Sequence, residues 1–209
     1  MGKIGILGGT FNPIHNGHVL MAHTAAEYFG FDKVLLVPSN MPPHKELAFG
    51  VSAEHRLAMV RLAAADDPLL AVDTIEIERG GVSYAIDTVR ALKARSPDDT
   101  FAFIIGIDSL LNLHTWRSAL QFVTECRVVT INRPDTVSRD LEKADLKFPE
   151  AISEQLLADV VTAKMSEASS SVIRSRIAKH ESIGYRVPLP VEKYIHEHGL
   201  YRERAGGDH

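Results

Sequence analysis

The stretch GGTFNPIHNGH near the start of the chain begins with Gly8 and Gly9 and also holds Thr10, His15 and His18. Glycines let the backbone approach a ligand closely and adopt angles that other residues avoid. The two histidines are three residues apart, so both can face the space in front of a helix that starts beside them. A helix N-terminus, a hydroxyl and two imidazoles are suited to holding phosphate oxygens. The stretch therefore predicts a phosphate site, with an ordinary strand–helix turn as the alternative.

Two later stretches place polar side chains after apolar runs. In the segment PPHK, two prolines stiffen the chain before His44 and hold a cation, Lys45, after an apolar run. A surface loop with an exposed lysine is the alternative. Asp108 follows the apolar run FAFII and Gly106. A carboxylate at a strand end can accept both hydroxyls of a ribose, and it can also cap a helix.

Trp116 and Arg174 are two further candidates for ligand contacts. The only tryptophan lies beside His114, Thr115 and Arg117 in a segment that is not apolar, although a lone tryptophan is more often part of a core. Three serines precede Arg174 in the pattern of a helix start, which indicates a second anion site or an ordinary capped helix.

Apolar runs and capping signals predict the elements that position these residues. Four short runs read as buried strands: Lys3–Leu7, Lys33–Val37, Phe101–Ile105 and Arg127–Ile131. Helices are predicted over Gly17–Phe29 with Asn16 as N-cap, Ala53–Ala65 with Ser52 as cap, from after Ser83 to about Arg95, Ser171–Lys179 and Val191–Glu197. Residues 135–153 read as a loop or surface insertion, and Leu157–Ala163 as an edge or late strand.

This alternation predicts an α/β fold, a Rossmann-like parallel sheet with helices on both faces. We expect one domain over residues 1–209, with a small helical part at about 169–201 and a disordered tail, 202–209. In such folds ligands bind at the carboxyl ends of the strands, where the turn at residues 8–18 lies.

Composition narrows the class of protein. The formal net charge of −4 over 209 residues argues against a nucleic-acid partner. The single cysteine, Cys126, excludes an internal disulfide and reads as a buried thiol. Because no signal peptide or run of membrane-spanning length is evident, we expect a cytoplasmic protein without a membrane partner. The sequence leaves the oligomeric state open, a homo-oligomer included.

The quoted motifs carry a family resemblance. GGTFNPIHNGH resembles the signature of the HxGH nucleotidyltransferases, which transfer a nucleotidyl group from a nucleoside triphosphate and release pyrophosphate. Later stretches, in order and spacing, are similar to the bacterial nicotinate-nucleotide adenylyltransferases: PSNMPPHKE (38–46), GGVSYAIDTV (80–89), FIIGIDSLLNLHTW (103–116), SSSVIR (169–174) and VEKYIHEHGLYR (191–202).

The resemblance implies adenylyl transfer from ATP to nicotinate mononucleotide in NAD biosynthesis, with Mg²⁺ carried by the ATP phosphates and no metal ligands on the protein. It assigns catalysis to Thr10, His15, His18, Lys45 and Arg174. It assigns ATP binding to Gly8, Gly9, Thr10, Phe11, His18, Gly106, Asp108, Ser170, Ile173 and Arg174. It assigns the mononucleotide to Asn40, His44, Lys45, Ser83, Tyr84, Trp116 and Arg117.

Four positions depart from the family pattern: Asn12, Ala85, Arg117 and Ala168. Because two of them lie near the expected pyridine carboxylate, adenylyl transfer is better supported than the acceptor's identity. Nicotinamide mononucleotide, phosphopantetheine and a non-catalytic nucleotide sensor stay open as alternatives. An RNA-directed enzyme of the synthetase type is disfavoured by the acidic balance.

Overall fold

A computed structural model describes residues 1–42, 48–132, 142–163 and 168–202. Within them, six strands form one sheet in the order β3-β2-β1-β4-β5-β6, and every neighbouring pair is parallel. The strands are β1 (Lys3–Gly9), β2 (Lys33–Pro38), β3 (Leu70–Val72), β4 (Thr100–Gly106), β5 (Arg127–Asn132) and β6 (Val160–Thr162). The parallel, Rossmann-like sheet predicted from the sequence is confirmed; its strand order is doubly wound and reverses direction between β1 and β4.

Helices connect the strands and cover the sheet. They are α1 (Asn16–Phe29), α2 (Ala53–Ala64), α3 (Ile75–Arg79), α4 (Ala85–Arg95), α5 (Ile107–Asn112), α6 (Ala119–Glu125), α7 (Lys143–Leu146), α8 (Glu150–Ala158), α9 (Ser170–Ala178) and α10 (Leu189–Glu197). Short 3₁₀ turns lie at Ala48–Gly50 and Leu113–Thr115. Capping explains several bounds: Ser52 and Ser169 accept hydrogen bonds from the first turns of α2 and α9.

Alternate residues of the central strands enter two separate cores. Ile6 packs with Ile105 on one face, whereas the next residue, Leu7, packs with Ile104 on the other. Side chains of a strand point alternately to opposite faces, so both faces of this sheet must be covered. Residues of α1, α2, α9 and α10 line one core, and residues of α4, α5, α6, α7 and α8 line the other. The expected two-sided α/β architecture is confirmed.

Three boundary predictions were wrong. The N-cap of α1 is His15 rather than Asn16, which is the first residue of the helix. Residues 135–153 are not one loop, because α7 and the start of α8 lie there; Leu146 and Leu156 are fully or almost fully buried. The predicted late strand is confined to Val160–Thr162, since Leu157 belongs to α8. These elements are too short for their apolar spacing to show a period.

Two smaller predictions can be compared with the structure. Cys126 is buried, and burial raises the pKa of its thiol to about 11, so the core assignment is confirmed. Most of the predicted tail, residues 203–209, lies outside the described residues. In the described ranges, no helix has the length and apolar character needed to span a membrane.

Candidate active site

An open cavity lies at the carboxyl end of β1, beside the point where the strand order reverses. Seven of the predicted site residues line it: Gly8, Gly9, Thr10, Ser83, Tyr84, Trp116 and Arg117. Five lining residues were not among the predicted contacts: Ser39, Pro42, Glu76, Ala85 and Phe103. The structure therefore brings together residues from five separate stretches of sequence in one concave site.

Gly8 and Gly9 leave room for neighbouring rings rather than supplying unusual backbone angles. A Cβ atom on Gly8 would lie 2.9 Å from the Phe103 ring, and one on Gly9 would lie 3.3 Å from the Phe11 ring. The left-handed angle expected at the glycines occurs instead at Phe11, with φ of 47°. Any side chain at Gly8 would collide with the cavity wall, so glycine is required there.

Trp116 belongs both to the core and to the cavity. Its ring meets Phe103 edge-on at 6.1 Å and lies 5.6 Å from Phe122, while the residue stays half-buried and lines the cavity. The neighbouring Arg117 is exposed, and its guanidinium carbon lies 4.5 Å from the centre of the Tyr84 ring. The arrangement offers aromatic surfaces and one cation at the same end of the cavity.

Asn40 ties two walls of the cavity together. Its backbone N–H donates to Ser83 Oγ at 3.0 Å, and its side-chain amide donates to the Gly81 carbonyl at 3.0 Å. Its side chain is therefore used within the protein, and Asn40 is absent from the residues that line the cavity. The adjacent Ser39 does line it, and among the described residues its buried hydroxyl oxygen has no hydrogen-bond partner. Ser39 is thus the better placed of the two for a ligand contact.

Arg56 holds the ends of β1 and β2 in place, and the sequence analysis missed it. Its guanidinium is fully buried and donates to the carbonyls of Thr10 at 2.8 Å, Ser39 at 2.7 Å and Asn40 at 2.8 Å. Burial lowers the pKa of this arginine. One feature of the sequence could have indicated this buried arginine. Position 56 lies on the same face of the helix as Met59 and Val60, where an apolar residue is expected.

The two histidines of the turn have different environments. The backbone N–H of His15 donates to Nδ1 of the His18 ring at 3.3 Å, and the two imidazole rings stack with their centres 3.7 Å apart. His15 is 5% exposed, whereas His18 is half-buried. Because Nδ1 of His18 accepts a hydrogen bond, the proton of its neutral ring is assigned to Nε2, which becomes a donor. His18 is the histidine better placed to meet a ligand.

The start of α9 is fastened to the same turn. Arg174 donates from Nη1 to the Asn12 carbonyl at 2.7 Å, and Ser170 Oγ donates to the Pro13 carbonyl at 2.9 Å. The side chains of Ile173 and Phe11 are almost fully buried in the core, and the Ile173 N–H already donates to the Ser169 carbonyl at 3.0 Å, so the predicted ATP contact at Ile173 is not supported. The N-terminus of α9 thus lies beside the histidine turn, as a shared phosphate site requires.

The C-terminal part of the chain also supports this turn. The hydroxyl of Tyr201, which is buried, donates to Asn12 Oδ1 at 2.8 Å. Burial raises the pKa of this tyrosine, which keeps its hydroxyl protonated as a donor. Asparagine at position 12 provides the acceptor oxygen that this bond needs. Ala168, another departure from the family pattern, is buried and adjoins Gly17.

The remaining predicted residues lie at β4 or outside the described ranges. A Cβ atom on Gly106 would lie 3.6 Å from Met21 of α1, so the end of β4 is close to the histidine helix. Asp108 is exposed in the first turn of α5, but Gly106 is the N-cap, so Asp108 is not the helix cap that was the alternative. His44 and Lys45 lie outside the described residues.

A doubly wound sheet whose strand reversal carries an HxGH helix start defines the class of HxGH nucleotidyltransferases. The chain belongs to the cytidylyltransferase-like family, whose model matches residues 6–176. It is 40% identical to a probable nicotinate-nucleotide adenylyltransferase of Citrifermentans bemidjiense, covering 95% of this chain and 98% of that one. It is 42% identical to a protein of the same name from Synechococcus sp. strain JA-3-3Ab, covering 95% and 94%.

A solved structure shows the same fold. Plasmodium falciparum nicotinic acid mononucleotide adenylyltransferase, complexed with NaAD, matches with a TM-score of 0.73 at 19% identity, covering 96% of this chain and 98% of that chain. At this identity the likeness concerns the fold, and it extends over almost the whole chain.

Proposed function

We propose that the protein transfers the adenylyl group of ATP to nicotinate mononucleotide, forming nicotinate adenine dinucleotide and pyrophosphate in NAD biosynthesis. The observation that carries this proposal is the aromatic cavity of Trp116 and Tyr84 opening beside the HxGH turn. One part of this site suits a flat pyridine ring, and the other suits phosphates. The names and high coverage of the two relatives support the same reaction.

The acceptor ring stacks on Trp116 in this proposal. An indole face favours a cationic ring, such as the N-ribosyl pyridinium of the mononucleotide. The ring carboxylate accepts from the backbone N–H of Tyr84, since the Ser83 N–H already donates to the Met41 carbonyl. It also pairs with Arg117, whose guanidinium already lies over the Tyr84 ring. A carboxamide would place an NH₂ donor where these groups require an acceptor, so the acid is preferred.

The reaction itself is an in-line displacement at phosphorus. An oxygen of the mononucleotide phosphate bonds to the α-phosphorus of ATP while the bond to the bridging oxygen breaks, and pyrophosphate leaves with that electron pair. The attacking phosphate is already ionised near neutral pH, so no general base is needed. The protein contributes position and charge stabilisation. His18 Nε2–H, Thr10, Lys45, Arg174 and the N-terminus of α1 are the proposed donors, and His15 holds the His18 ring.

ATP and its metal complete the site. Gly106 and Asp108 at the end of β4 contact the nucleoside, while the start of α9 at Ser170 contributes the second helix N-terminus. Mg²⁺ enters as part of the MgATP substrate and neutralises phosphate charge. Among the described residues, no group of three or more histidine, cysteine or acidic side chains could hold a metal ion. Because ATP is the proposed adenylyl donor, the proposal also places the protein in the cytoplasm.

The decisive experiment measures pyrophosphate release with ATP, Mg²⁺ and a panel of acceptors. Nicotinate mononucleotide is expected to support turnover, and nicotinamide mononucleotide to support it at least about tenfold less efficiently in kcat/KM. Turnover with phosphopantetheine, and with no other acceptor of the panel, would identify phosphopantetheine as the acceptor. ATP binding without pyrophosphate from any acceptor would identify a nucleotide sensor. Excess tRNA at low salt is expected to leave the rate unchanged.

A further inference from the structure

Glu76 is a buried carboxylate in the wall of the cavity that the proposed reaction has not used. It is the second residue of α3, is 5% exposed and lines the cavity together with Tyr84 and Trp116. Its Oε1 accepts a hydrogen bond from the Thr88 hydroxyl at 2.6 Å. Within the described part of the chain, its other oxygen accepts no hydrogen bond and the carboxylate forms no ion pair.

The position of Thr88 fixes which end of the cavity this carboxylate serves. The Thr88 hydroxyl also lies 3.2 Å from the Tyr84 carbonyl, so Glu76 is held close to the backbone of Tyr84. The nearby Arg79 donates to the Thr88 hydroxyl at 3.2 Å and forms no ion pair with Glu76. The carboxylate therefore lies at the aromatic end of the cavity, where the pyridine ring is proposed to stack.

A buried carboxylate with one neutral donor is costly unless another group compensates it. A native protein that keeps such a group beside a ligand cavity can obtain that compensation from the ligand. The proposed occupant provides it, because the nitrogen that joins a pyridine ring to ribose carries a positive charge. A negative group at the ring edge and an indole face at the ring plane favour the same cation.

We propose that Glu76 is a substrate contact whose unpaired carboxylate oxygen supplies the counter-charge to the pyridinium ring of the mononucleotide. This inference rests on the proposed function and deepens it. Glu76 makes the cavity selective for the cationic, oxidised ring over an uncharged dihydropyridine of the same shape. Arg117 and the backbone near Tyr84 select for the carboxylate on the ring, whereas Glu76 selects for the positive charge of the ring.

The test compares nicotinate mononucleotide with its 1,4-dihydro form, which keeps the phosphate, ribose and carboxylate but has an uncharged ring. Glu76→Gln keeps the shape, and its amide oxygen can still accept from Thr88. This variant is expected to weaken binding of the oxidised mononucleotide by about tenfold to a hundredfold in KM and calorimetric Kd. Binding of the dihydro form should change by less than about threefold, and kcat should change little because the ring is remote from phosphorus.

Two controls separate charge from structure. Glu78→Gln removes an exposed carboxylate from the same helix and is expected to change neither affinity. Thr88→Val removes the Glu76 hydrogen bond but keeps the charge, so the preference for the oxidised ring should persist. If Glu76→Gln fails to fold, Trp116→Leu decides the question: without the indole face, the protein must still bind the oxidised form at least about tenfold more tightly than the dihydro form.

Three results would overturn the inference. In the first, Glu76→Gln weakens binding of the oxidised and dihydro forms equally. In the second, Glu76→Gln leaves affinity for the oxidised form unchanged or improves it. In the third, the wild-type protein binds the two forms with equal affinity. Failure of the proposed function is separate, since it would appear as absence of pyrophosphate from wild-type protein with ATP and nicotinate mononucleotide.

Discussion

Replacing Arg56 by methionine tests whether one buried guanidinium organises the phosphate end of the site. The side chain is fully buried, and its three hydrogen bonds hold the carbonyls of Thr10, Ser39 and Asn40. Methionine fills a similar volume but leaves all three carbonyls without this donor. Lysine keeps the charge, yet a single ammonium on a shorter stem cannot reproduce the planar fork that bridges them.

The magnitude follows from two opposing effects. A hydrogen bond to a charged group contributes about 1.5–3 kcal/mol, but the buried guanidinium costs desolvation, which is the cause of its lowered pKa. We therefore expect Arg56→Met to lower the free energy of unfolding by about 3–5 kcal/mol, because three carbonyls lose a donor at about 1–3 kcal/mol each and part of that loss is offset by the desolvation cost that is removed with the guanidinium. Arg56→Lys should lose about 2–4 kcal/mol. At about 2–4 °C per kcal/mol for a chain of this size, Tm should fall by about 6–20 °C.

Urea denaturation and steady-state kinetics measure the two consequences separately. Well below Tm, kcat/KM of Arg56→Met is expected to fall at least about tenfold, because Thr10 and Ser39 line the cavity and shift when their carbonyls are released. The matched control is Arg61→Met, which changes an exposed arginine on the same helix and should alter neither quantity. An Arg56→Met protein with wild-type stability and kcat/KM would refute the reasoning.

Three further predictions concern the turn, the selectivity and the core. His18→Ala should lower kcat by about 10²–10³ while the circular dichroism spectrum and Tm stay near wild type; an unchanged kcat would exclude the proposed Nε2–H donor. Arg117→Ala should remove most of the roughly tenfold preference for the nicotinate over the nicotinamide acceptor in kcat/KM. If the preference survives, the backbone near Tyr84 reads the carboxylate. Cys126, with its pKa raised to about 11, should resist iodoacetamide at pH 8 in native protein and react fully in urea; rapid native labelling would contradict its burial.

The central architecture could be predicted because its signals are local. Each long strand is a continuous apolar run, and helix starts such as Ser52 and Ser169 are marked by capping residues a few positions away. Parallel strands then bring their carboxyl ends to one edge of the sheet, so Gly9 and Gly106, the last residues of β1 and β4, lie at the same edge. The short helices α7 and α8 carry too few apolar residues for a period, and their places depend on the core they cover.

The sequence by itself determined the sheet and the histidine turn, since each follows from neighbours within one or two turns of chain. Most residues of the cavity were found through motifs that resemble those of a known family. Tertiary structure alone decided the roles of Arg56, Glu76 and Tyr201. Tyr201 reaches Asn12 across 189 positions, and Arg56 reaches Thr10 across 46. A buried arginine or glutamate looks like a surface residue in a sequence. Only the folded chain shows which carbonyl, hydroxyl or ligand offsets the cost of removing its charge from water.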